Sequence, residues 1–314
     1  MKTLLVGVDL GGTNIRAAVA TGDTQHGTPA RRPTPAHDGP DAVLDAVADC
    51  VREATGGLPP DGVAIGIPGP LDPRAGVVHN APNMAGWREV PAAAMLSQRL
   101  SCPVAICHDA AAAGYAEWKV GAGQGATYFI FITASTGVGG ALFLDGELYE
   151  GATGSAGEVG HSPVGPDAPR CSQGHPGCLE GTASGTAIAA AARRAIASGT
   201  PTALSGLHPE GIDALAVEQA ARGGDELATR LFSDAGRALG RAIGGLINLL
   251  APEVIAVGGG LINAGELLFA PLRAAVPEIA FDYPASRCRI VEAALGTDAG
   301  LIGAVAWAVK SFQR

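Results

Sequence analysis

The sequence predicts an α/β protein built as two similar lobes. Short apolar runs rich in β-branched residues alternate with longer segments in which apolar residues recur at helical spacing. A strand, a glycine turn and a second strand open the chain at residues 3–20, and the same pattern recurs at 128–144. The length of 314 residues suits about two domains of roughly 150 residues each.

In the first half, apolar runs at 3–9 and 15–20 flank Gly11-Gly12 and predict the hairpin. A helix is predicted at 41–54, because apolar residues recur there at helical spacing. The next elements alternate in type: a strand at 63–67, a helix at 90–100, a strand at 104–107 and a helix at 110–119.

In the second half, a strand at 128–134 runs into a glycine cluster, and a strand at 141–144 continues beyond it. Residues 151–181 are rich in Gly, Pro, His and Cys without periodicity, which is typical of a long functional loop. The remaining predicted elements are helices at 183–197 and 225–250, a strand at 254–257, a helix from about 264, a strand at 289–293 and a helix at 299–310. We expect a smaller N-terminal lobe of residues 1–109 plus 297–314, and a larger C-terminal lobe of residues 110–296.

Composition excludes several classes of protein. Hydrophobic residues form 47% and charged residues 16% of the chain, which excludes a disordered protein. The net charge is -9 and no Lys/Arg-rich run occurs, so we expect no nucleic-acid partner. No apolar stretch approaches the roughly 18–20 residues of a membrane span, and no leader pattern opens the chain. We therefore expect a cytoplasmic protein with no membrane partner, whose six cysteines do not form a disulfide framework.

Glycine accounts for 46 residues, and three glycine clusters follow predicted strands. In the first cluster, Asp9-Leu-Gly11-Gly12-Thr13-Asn14, the backbone amides of a hairpin turn are free to bind phosphate. Asp9 can hold Mg²⁺ through water, and Thr13 and Arg16 can donate to phosphate oxygens. The alternative is an ordinary Gly-Gly hairpin turn.

The second cluster, residues 133–140, places Thr136 and Gly137 at a strand end, and the third is Gly258-Gly259-Gly260. Neither a P-loop nor a complete dinucleotide fingerprint occurs. Each cluster alone could be a turn, but three at strand ends favour ATP over NAD.

Asp109 lies between a predicted strand and a predicted helix, where a carboxylate can take a proton from a hydroxyl group. The alternative is a structural role as the N-cap of that helix.

Residues of the irregular loop suggest a metal site. His161, Cys171 and Cys178 lie within twenty residues, beside Glu158 and Glu180. A structural zinc site needs four ligands, and His175 is the fourth candidate by proximity alone. The alternative is a loop with unpaired cysteines.

Together these motifs resemble the ROK family of sugar kinases and sugar-responsive repressors. Asp9-x-Gly-Gly-Thr13 resembles the family's first phosphate motif, and residues 135–140 resemble the second, with departures at Ser135 and Ala141. Residues 80–87, Asn-Ala-Pro-Asn-Met-Ala-Gly-Trp, are similar to the sugar-contacting segment of the family. Glu158-x-Gly-His161 and Cys178-x-Glu180 are similar to its elements that hold sugar hydroxyls.

The resemblance implies a two-lobed actin-like ATPase (ribonuclease H-like) fold with the active site in the cleft between the lobes. It implies an ATP- and Mg²⁺-dependent hexose kinase, most simply a glucokinase that makes the 6-phosphate, and a homodimer. Asp109 is then the base. The residues expected to hold the sugar are Asn83, His108, Asp109, Glu158, His161 and Glu180. Those expected to hold ATP are Asp9, Gly11, Gly12, Thr13, Asn14, Arg16, Thr136, Gly137, Gly258, Gly259 and Gly260.

Two departures from the family pattern matter. His108 precedes Asp109 where the family has an asparagine that touches a sugar hydroxyl, so the preferred sugar is open. Gln173 stands where the family's zinc motif has its middle cysteine. Because an amide replaces a thiolate there, we expect zinc to be absent or weakly held, unless His175 substitutes.

Other functions remain open. The sugar could be mannose, fructose, allose or an N-acylated hexosamine, and the donor could be polyphosphate. A sugar-binding regulator without catalysis is disfavoured by the retention of Asp109 and of both phosphate motifs, and an actin-like assembly ATPase by the sugar-binding elements. Because Asp9 lies eight residues from the start, we expect no helix-turn-helix domain before it, which favours the kinase branch.

Overall fold

A computed structural model describes residues 3–81, 83–166, 168–171 and 173–313. Pro82 and Ser172, which belong to two of the motifs above, lie outside the described residues. The strands are β1 (Leu5–Leu10), β2 (Asn14–Val19), β3 (Ala30–Pro33), β4 (Gly62–Ile67), β5 (Leu71–Asp72), β6 (Val77–Asn80), β7 (Arg88–Val90), β8 (Val104–His108), β9 (Phe129–Ala134), β10 (Val138–Leu144), β11 (Glu147–Leu148), β12 (Val254–Gly258) and β13 (Arg289–Glu292).

The helices are α1 (Gly39–Ala54), α2 (Ala92–Leu100), α3 (Asp109–Val120), α4 (Glu180–Ala183), α5 (Gly185–Ala197), α6 (Ala214–Arg222), α7 (Glu226–Leu250), α8 (Glu266–Ala275), α9 (Asp282–Arg287) and α10 (Ala299–Phe312). Helices alternate with strands in the first half of the chain, whereas α4–α7 follow one another in the second half. None of these helices is long and apolar enough to span a membrane.

Two five-stranded sheets share one topology. The first has the order β3-β2-β1-β4-β8, and the second has the order β11-β10-β9-β12-β13. In the first sheet, β1 pairs antiparallel with β2 and parallel with β4. In the second, β12 is parallel to both β9 and β13. The repeated order confirms the α/β class and explains why the glycine hairpin occurs twice in the sequence.

The chain forms two compact units. Unit 1 comprises the residues up to Gly125, Ala141–Gly157 and the residues from Ala294 onward, and unit 2 comprises Ala126–Gly140 and Glu158–Ala293. These units differ from the expected lobes 1–109 plus 297–314 and 110–296. Helix α3 belongs to unit 1 because it packs against α10, a contact that the sequence pattern does not reveal.

The backbone of helix α10 lies directly against the backbones of its neighbours in unit 1. A Cβ added to Gly303 would lie 1.8 Å from the carbonyl oxygen of Ala112 on α3, and one added to Gly7 on β1 would lie 2.2 Å from the Val305 nitrogen. Real Cβ atoms do not approach backbone this closely, so both positions require glycine. Helix α10 is therefore seated on β1 and α3 together.

Gly303→Ala should destabilise the protein by roughly 1–3 kcal/mol, because the added methyl group forces α10 away from α3. The matched control is Gly245→Ala on α7, where an added Cβ meets nothing within 4 Å. That control should gain up to about 1 kcal/mol from helix propensity. Urea denaturation measures both, and equal free energies of unfolding for the two variants would contradict the close packing.

Candidate functional site

The first glycine turn, between β1 and β2, is open and exposed. The Gly11 N–H donates to the Asn14 carbonyl at 2.9 Å, and Thr34 Oγ1 donates to the Gly11 carbonyl at 2.7 Å. A Cβ on Gly12 would have Asn83 Cβ as its neighbour at 3.9 Å. The structure therefore brings a predicted phosphate-binding turn next to a predicted sugar-binding residue.

Arg16 holds Asp9. The two residues are opposite one another on β2 and β1, and Arg16 Nε and Nη2 donate to Asp9 Oδ2 at 3.1 and 2.7 Å. Nη2 also donates to the Thr297 carbonyl at 2.6 Å, and Nη1 donates to Asp298 Oδ1 at 3.2 Å. The sequence predicted Arg16 as a phosphate donor, whereas here each of its three guanidinium nitrogens has a partner within unit 1. Its contact with phosphate stays a prediction.

Asp9 lies in a mixed electrostatic environment. Burial raises the pKa of its carboxyl group, Arg16 lowers it, and Asp109 raises it. The carboxylate packs against Gly300 at the start of α10, where an added Cβ would lie 2.9 Å from Oδ1. Both Arg16 bonds are made to Oδ2, and oxygen donors such as Oδ1 suit Mg²⁺ or its bound water. Asp9 therefore offers one oxygen of the kind that binds magnesium or its bound water.

Asp109 is the first residue of α3, and His108 is its N-cap. His108 Nδ1 lies 3.2 Å from the Ala110 nitrogen, and Asp109 Oδ1 accepts from the same N–H at 2.6 Å. The capping position that was the alternative role for Asp109 is thus taken by His108. The Asp109 side chain remains 41% exposed, which leaves it accessible to a substrate.

His108 also contacts the predicted base directly. Its Nδ1 lies 3.1 Å from Asp109 Oδ1. Nδ1 without a proton accepts from the Ala110 N–H, and Nδ1 with a proton donates to Asp109 Oδ1, so the tautomer of the ring decides which of the two bonds forms. With its proton on Nδ1, His108 orients the carboxylate that the sequence predicts as the base.

In unit 2 the second and third glycine clusters lie together. The Ser135 N–H donates to the Gly137 carbonyl at 2.9 Å, and a Cβ on Gly260 would lie 3.8 Å from Ser135 Oγ. Gly259 adopts a positive φ of 89°, and its Cβ would lie 2.3 Å from the carbonyl oxygen of Ala134. Two of the three predicted nucleotide elements are thus neighbours.

Glu180 links this turn to the irregular loop. Its Oε2 accepts from the Val138 N–H at 3.2 Å and would lie 2.7 Å from a Cβ on Gly137. Thr136 is held from the other side, because its carbonyl accepts from Thr186 Oγ1 at 2.8 Å. A predicted sugar ligand therefore contacts a predicted phosphate turn within unit 2.

The loop brings metal-ligand atoms together. Donor atoms of His161, Cys171 and His175 all lie within 4.8 Å of one another. His161 Nδ1 is 3.7 Å from Cys171 Sγ, close to the roughly 3.5 Å edge of a tetrahedral zinc site. Cys178 is a neighbour of Cys171. Burial is the main cause that raises the pKa of the Cys178 thiol, and the interaction with Cys171 raises it further. Gln173 is exposed.

Three of these residues, His161, Cys171 and His175, fit one zinc ion. The neighbouring Cys178 would complete a set of two thiols and two imidazoles, a ligand combination found in structural zinc sites. Glu158 lies immediately before the short 3₁₀ turn Val159–His161 that carries the first of these ligands.

Sequence reasoning missed the groups that hold the predicted residues in place. They are Thr34 under the first turn, Thr186 under the second, and Thr297, Asp298 and Gly300 around Asp9 and Arg16. The Thr-Asp pair before α10 is a helix-start signal that could have drawn attention to residues 297–300. Nothing local marks the other two positions.

Known proteins resemble this chain along its whole length. It is 35% identical over 309 residues to a glucokinase of Thermotoga maritima, covering 96% of each sequence. It is 32% identical over 302 residues to an N-acetylmannosamine kinase of Haemophilus influenzae, covering 96% of this chain and 93% of that one.

Among solved structures, a ROK family glucokinase from Streptomyces griseus in complex with glucose and AMPPNP superimposes with a TM-score of 0.84 at 34% identity, over 98% of this chain and 99% of that one. This similarity confirms the predicted actin-like ATPase fold. The ROK family model matches residues 5–311. The chain therefore belongs to the ROK family.

Proposed function

We propose that this protein is an ATP-dependent hexose kinase that phosphorylates glucose at its 6-hydroxyl. One observation carries the proposal: an exposed carboxylate, Asp109, begins α3 with His108 against it, in the unit that also presents the open Gly11-Gly12 turn. The glucokinases among the relatives support glucose as the substrate.

The chemistry follows from these positions. Asp109 takes the proton of the sugar hydroxyl while the hydroxyl oxygen forms a bond to the terminal phosphorus of ATP. The bond between that phosphorus and the bridging oxygen breaks, and ADP leaves with that oxygen. Orientation of Asp109 by His108 keeps the acceptor lone pair in place. Catalysis then rests on positioning and on charge neutralisation.

The other predicted residues bind and orient the substrates. The side chains assigned to the sugar hydroxyls are Asn83, His108, Glu158, His161 and Glu180. Such a polar set rejects analogues that lack a hydroxyl more strongly than an apolar pocket does. The groups that we assign to the nucleotide phosphates are backbone amides of the two turns and of the Gly258-Gly259-Gly260 cluster. Bound Mg²⁺ supplies positive charge to the phosphates, and Asp9 is the residue that would hold it through water.

A second candidate substrate is an N-acylated hexosamine, because an N-acetylmannosamine kinase is also a relative and His108 departs from the family pattern. Mannose, fructose and allose, and polyphosphate as donor, remain alternatives within the same chemistry. The use of ATP favours a cytoplasmic location. The exposed apolar side chains Leu249, Ile279, Phe281 and Tyr283 support a homodimer.

With ATP and Mg²⁺, the purified protein should convert glucose to a sugar phosphate faster than it converts mannose, fructose, allose or N-acetylmannosamine. A coupled ADP assay across this panel, read as kcat/KM, decides the preference. Repeating the panel with polyphosphate tests the donor. A folded protein that phosphorylates no hexose would refute the kinase proposal.

Asp109→Asn should lower kcat roughly 10²–10⁴-fold, because the amide keeps the shape but cannot accept the proton. Asp213→Asn is the matched control: Asp213 caps α6 through a 2.8 Å bond from the Ala216 N–H, so its loss affects stability alone. Melting temperatures accompany both assays. A fall in kcat of less than about tenfold would reduce Asp109 to a structural role.

We also propose a zinc site in which His175 replaces the ligand lost at Gln173. The ligands would be His161, Cys171, His175 and Cys178. Bound zinc would fix the loop between Glu158 and Glu180 and leave the second nitrogen of His161 for the sugar. The mutual distances of the His161, Cys171 and His175 donor atoms support this assignment over the expectation of absent or weak zinc.

Protein purified without chelator should contain about one zinc per chain, and His175→Ala should weaken zinc binding about tenfold or more. His208→Ala is the control, since His208 is 77% exposed and lies outside the loop. Elemental analysis gives the stoichiometry, and competition with a coloured chelator gives the affinity. Zinc-free wild type, or equal affinity in His175→Ala, would exclude this ligand set.

A further inference from the structure

Glu117 on α3 is a fully buried carboxylate held by backbone amides. Its exposed fraction is 0%. Oε2 accepts from the N–H groups of Ala122 and Ala294 at 2.9 and 3.0 Å, and Oε1 accepts from the N–H of Leu295 at 2.8 Å. Among the residues that the structure describes, no Lys, Arg or His forms an ion pair with it. The three amides therefore offset the cost of burying the charge.

The chain makes room for this carboxylate. A Cβ on Gly121 would lie 2.2 Å from Glu117 Oε2 and 2.9 Å from Glu117 Cα. The backbone carbonyl of Glu117 also accepts from the Gly121 and Gly123 N–H groups at 3.0 and 2.9 Å. The end of α3 is thus shaped around a group that none of the proposed reaction steps uses.

The segment held by Glu117 leads directly to Asp9. Glu117 binds Ala294 and Leu295, and two residues later the Thr297 carbonyl and the Asp298 carboxylate accept from Arg16. Arg16 in turn donates twice to Asp9. Hydrogen bonds and a loop of five residues, 294–298, therefore connect a buried carboxylate to the carboxylate at the first glycine turn.

We propose that Glu117 is a positioning residue for Asp9: it fixes the 294–298 loop, the loop fixes Arg16, and Arg16 sets the position of the Asp9 carboxylate at the nucleotide site. This proposal rests on the proposed function, because it takes from it that the nucleotide phosphates bind beside Asp9. It predicts an effect on nucleotide binding and not on sugar binding.

The test is Glu117→Gln, which keeps the shape and removes one acceptor oxygen. The dissociation constant for a non-hydrolysable ATP analogue with Mg²⁺, measured by calorimetry, should rise roughly 2- to 30-fold. The dissociation constant for the sugar should stay within about twofold of wild type. Val47→Ala, in the core of α1, is the control for general destabilisation: its melting temperature should fall while nucleotide affinity stays unchanged.

A double-mutant cycle separates this route from a diffuse effect. In an Arg16→Met background, Glu117→Gln should cause no further loss of nucleotide affinity, because the connection is already broken. Additive effects of the two substitutions, or unchanged nucleotide affinity in folded Glu117→Gln, would overturn the proposal.

If Glu117→Gln does not fold, Asp298→Asn on the exposed end of the same loop tests the link, and unchanged nucleotide affinity there also overturns it. Failure of the proposed function can be distinguished from failure of the proposed role of Glu117. A wild type that binds nucleotide but transfers no phosphate refutes the kinase, whereas the binding measurements still decide the role of Glu117.

Discussion

The close approach of α10 to β1 and α3 is the constraint on which the positions of Asp9 and Arg16 depend. Gly7 and Gly303 let backbone meet backbone, so the start of α10 is brought against the end of β1. Asp9 ends up against Gly300, and the loop before α10 comes within reach of Arg16. Larger side chains at these glycines would separate the elements and, with them, the residues that hold Asp9.

The duplicated topology explains both the similarity and the difference of the two glycine turns. Each turn follows the first strand of a hairpin in sheets of the same order. The first turn is braced by Thr34 and stays exposed beside Asn83, whereas the second is contacted by the Glu180 carboxylate. The same arrangement of strands therefore occurs twice, and the residues that contact each glycine turn give the two turns different environments.

Elements with strong local patterns could be predicted from the sequence. The glycine hairpins and the long helices α7 and α10 were predicted to within a few residues, because their apolar spacing is set by their own periodicity. The short strands β3, β5, β6, β7 and β11 were not predicted, because pairing with distant residues, and not local composition, makes them strands.

The same limit applies to the site. Motifs identified Asp9, Asp109 and Glu180, but their partners depend on register and packing. Arg16 was predicted to donate to phosphate because it follows the turn, yet the β1–β2 register places it opposite Asp9. His108 was singled out as a departure in sugar recognition, yet its capping of α3 and its contact with Asp109 appear only in three dimensions. The sequence gives the chemical type of each residue directly, whereas the residues that it contacts depend on the folded structure.

The loop of unit 2 connects residues that are predicted to bind the sugar with a turn that is predicted to bind phosphate. Glu158 precedes the first candidate metal ligand and Glu180 follows the last, so the chain between the two carboxylates carries all four candidate ligands. Glu180 also accepts from the Val138 N–H in the second glycine turn. A change in the loop, whether by substitution or by loss of a bound metal, is therefore expected to shift a predicted sugar ligand and a predicted phosphate-binding turn together. In the proposed kinase reaction the sugar and the phosphate must meet in one orientation, so we expect such a change to lower kcat before it weakens binding.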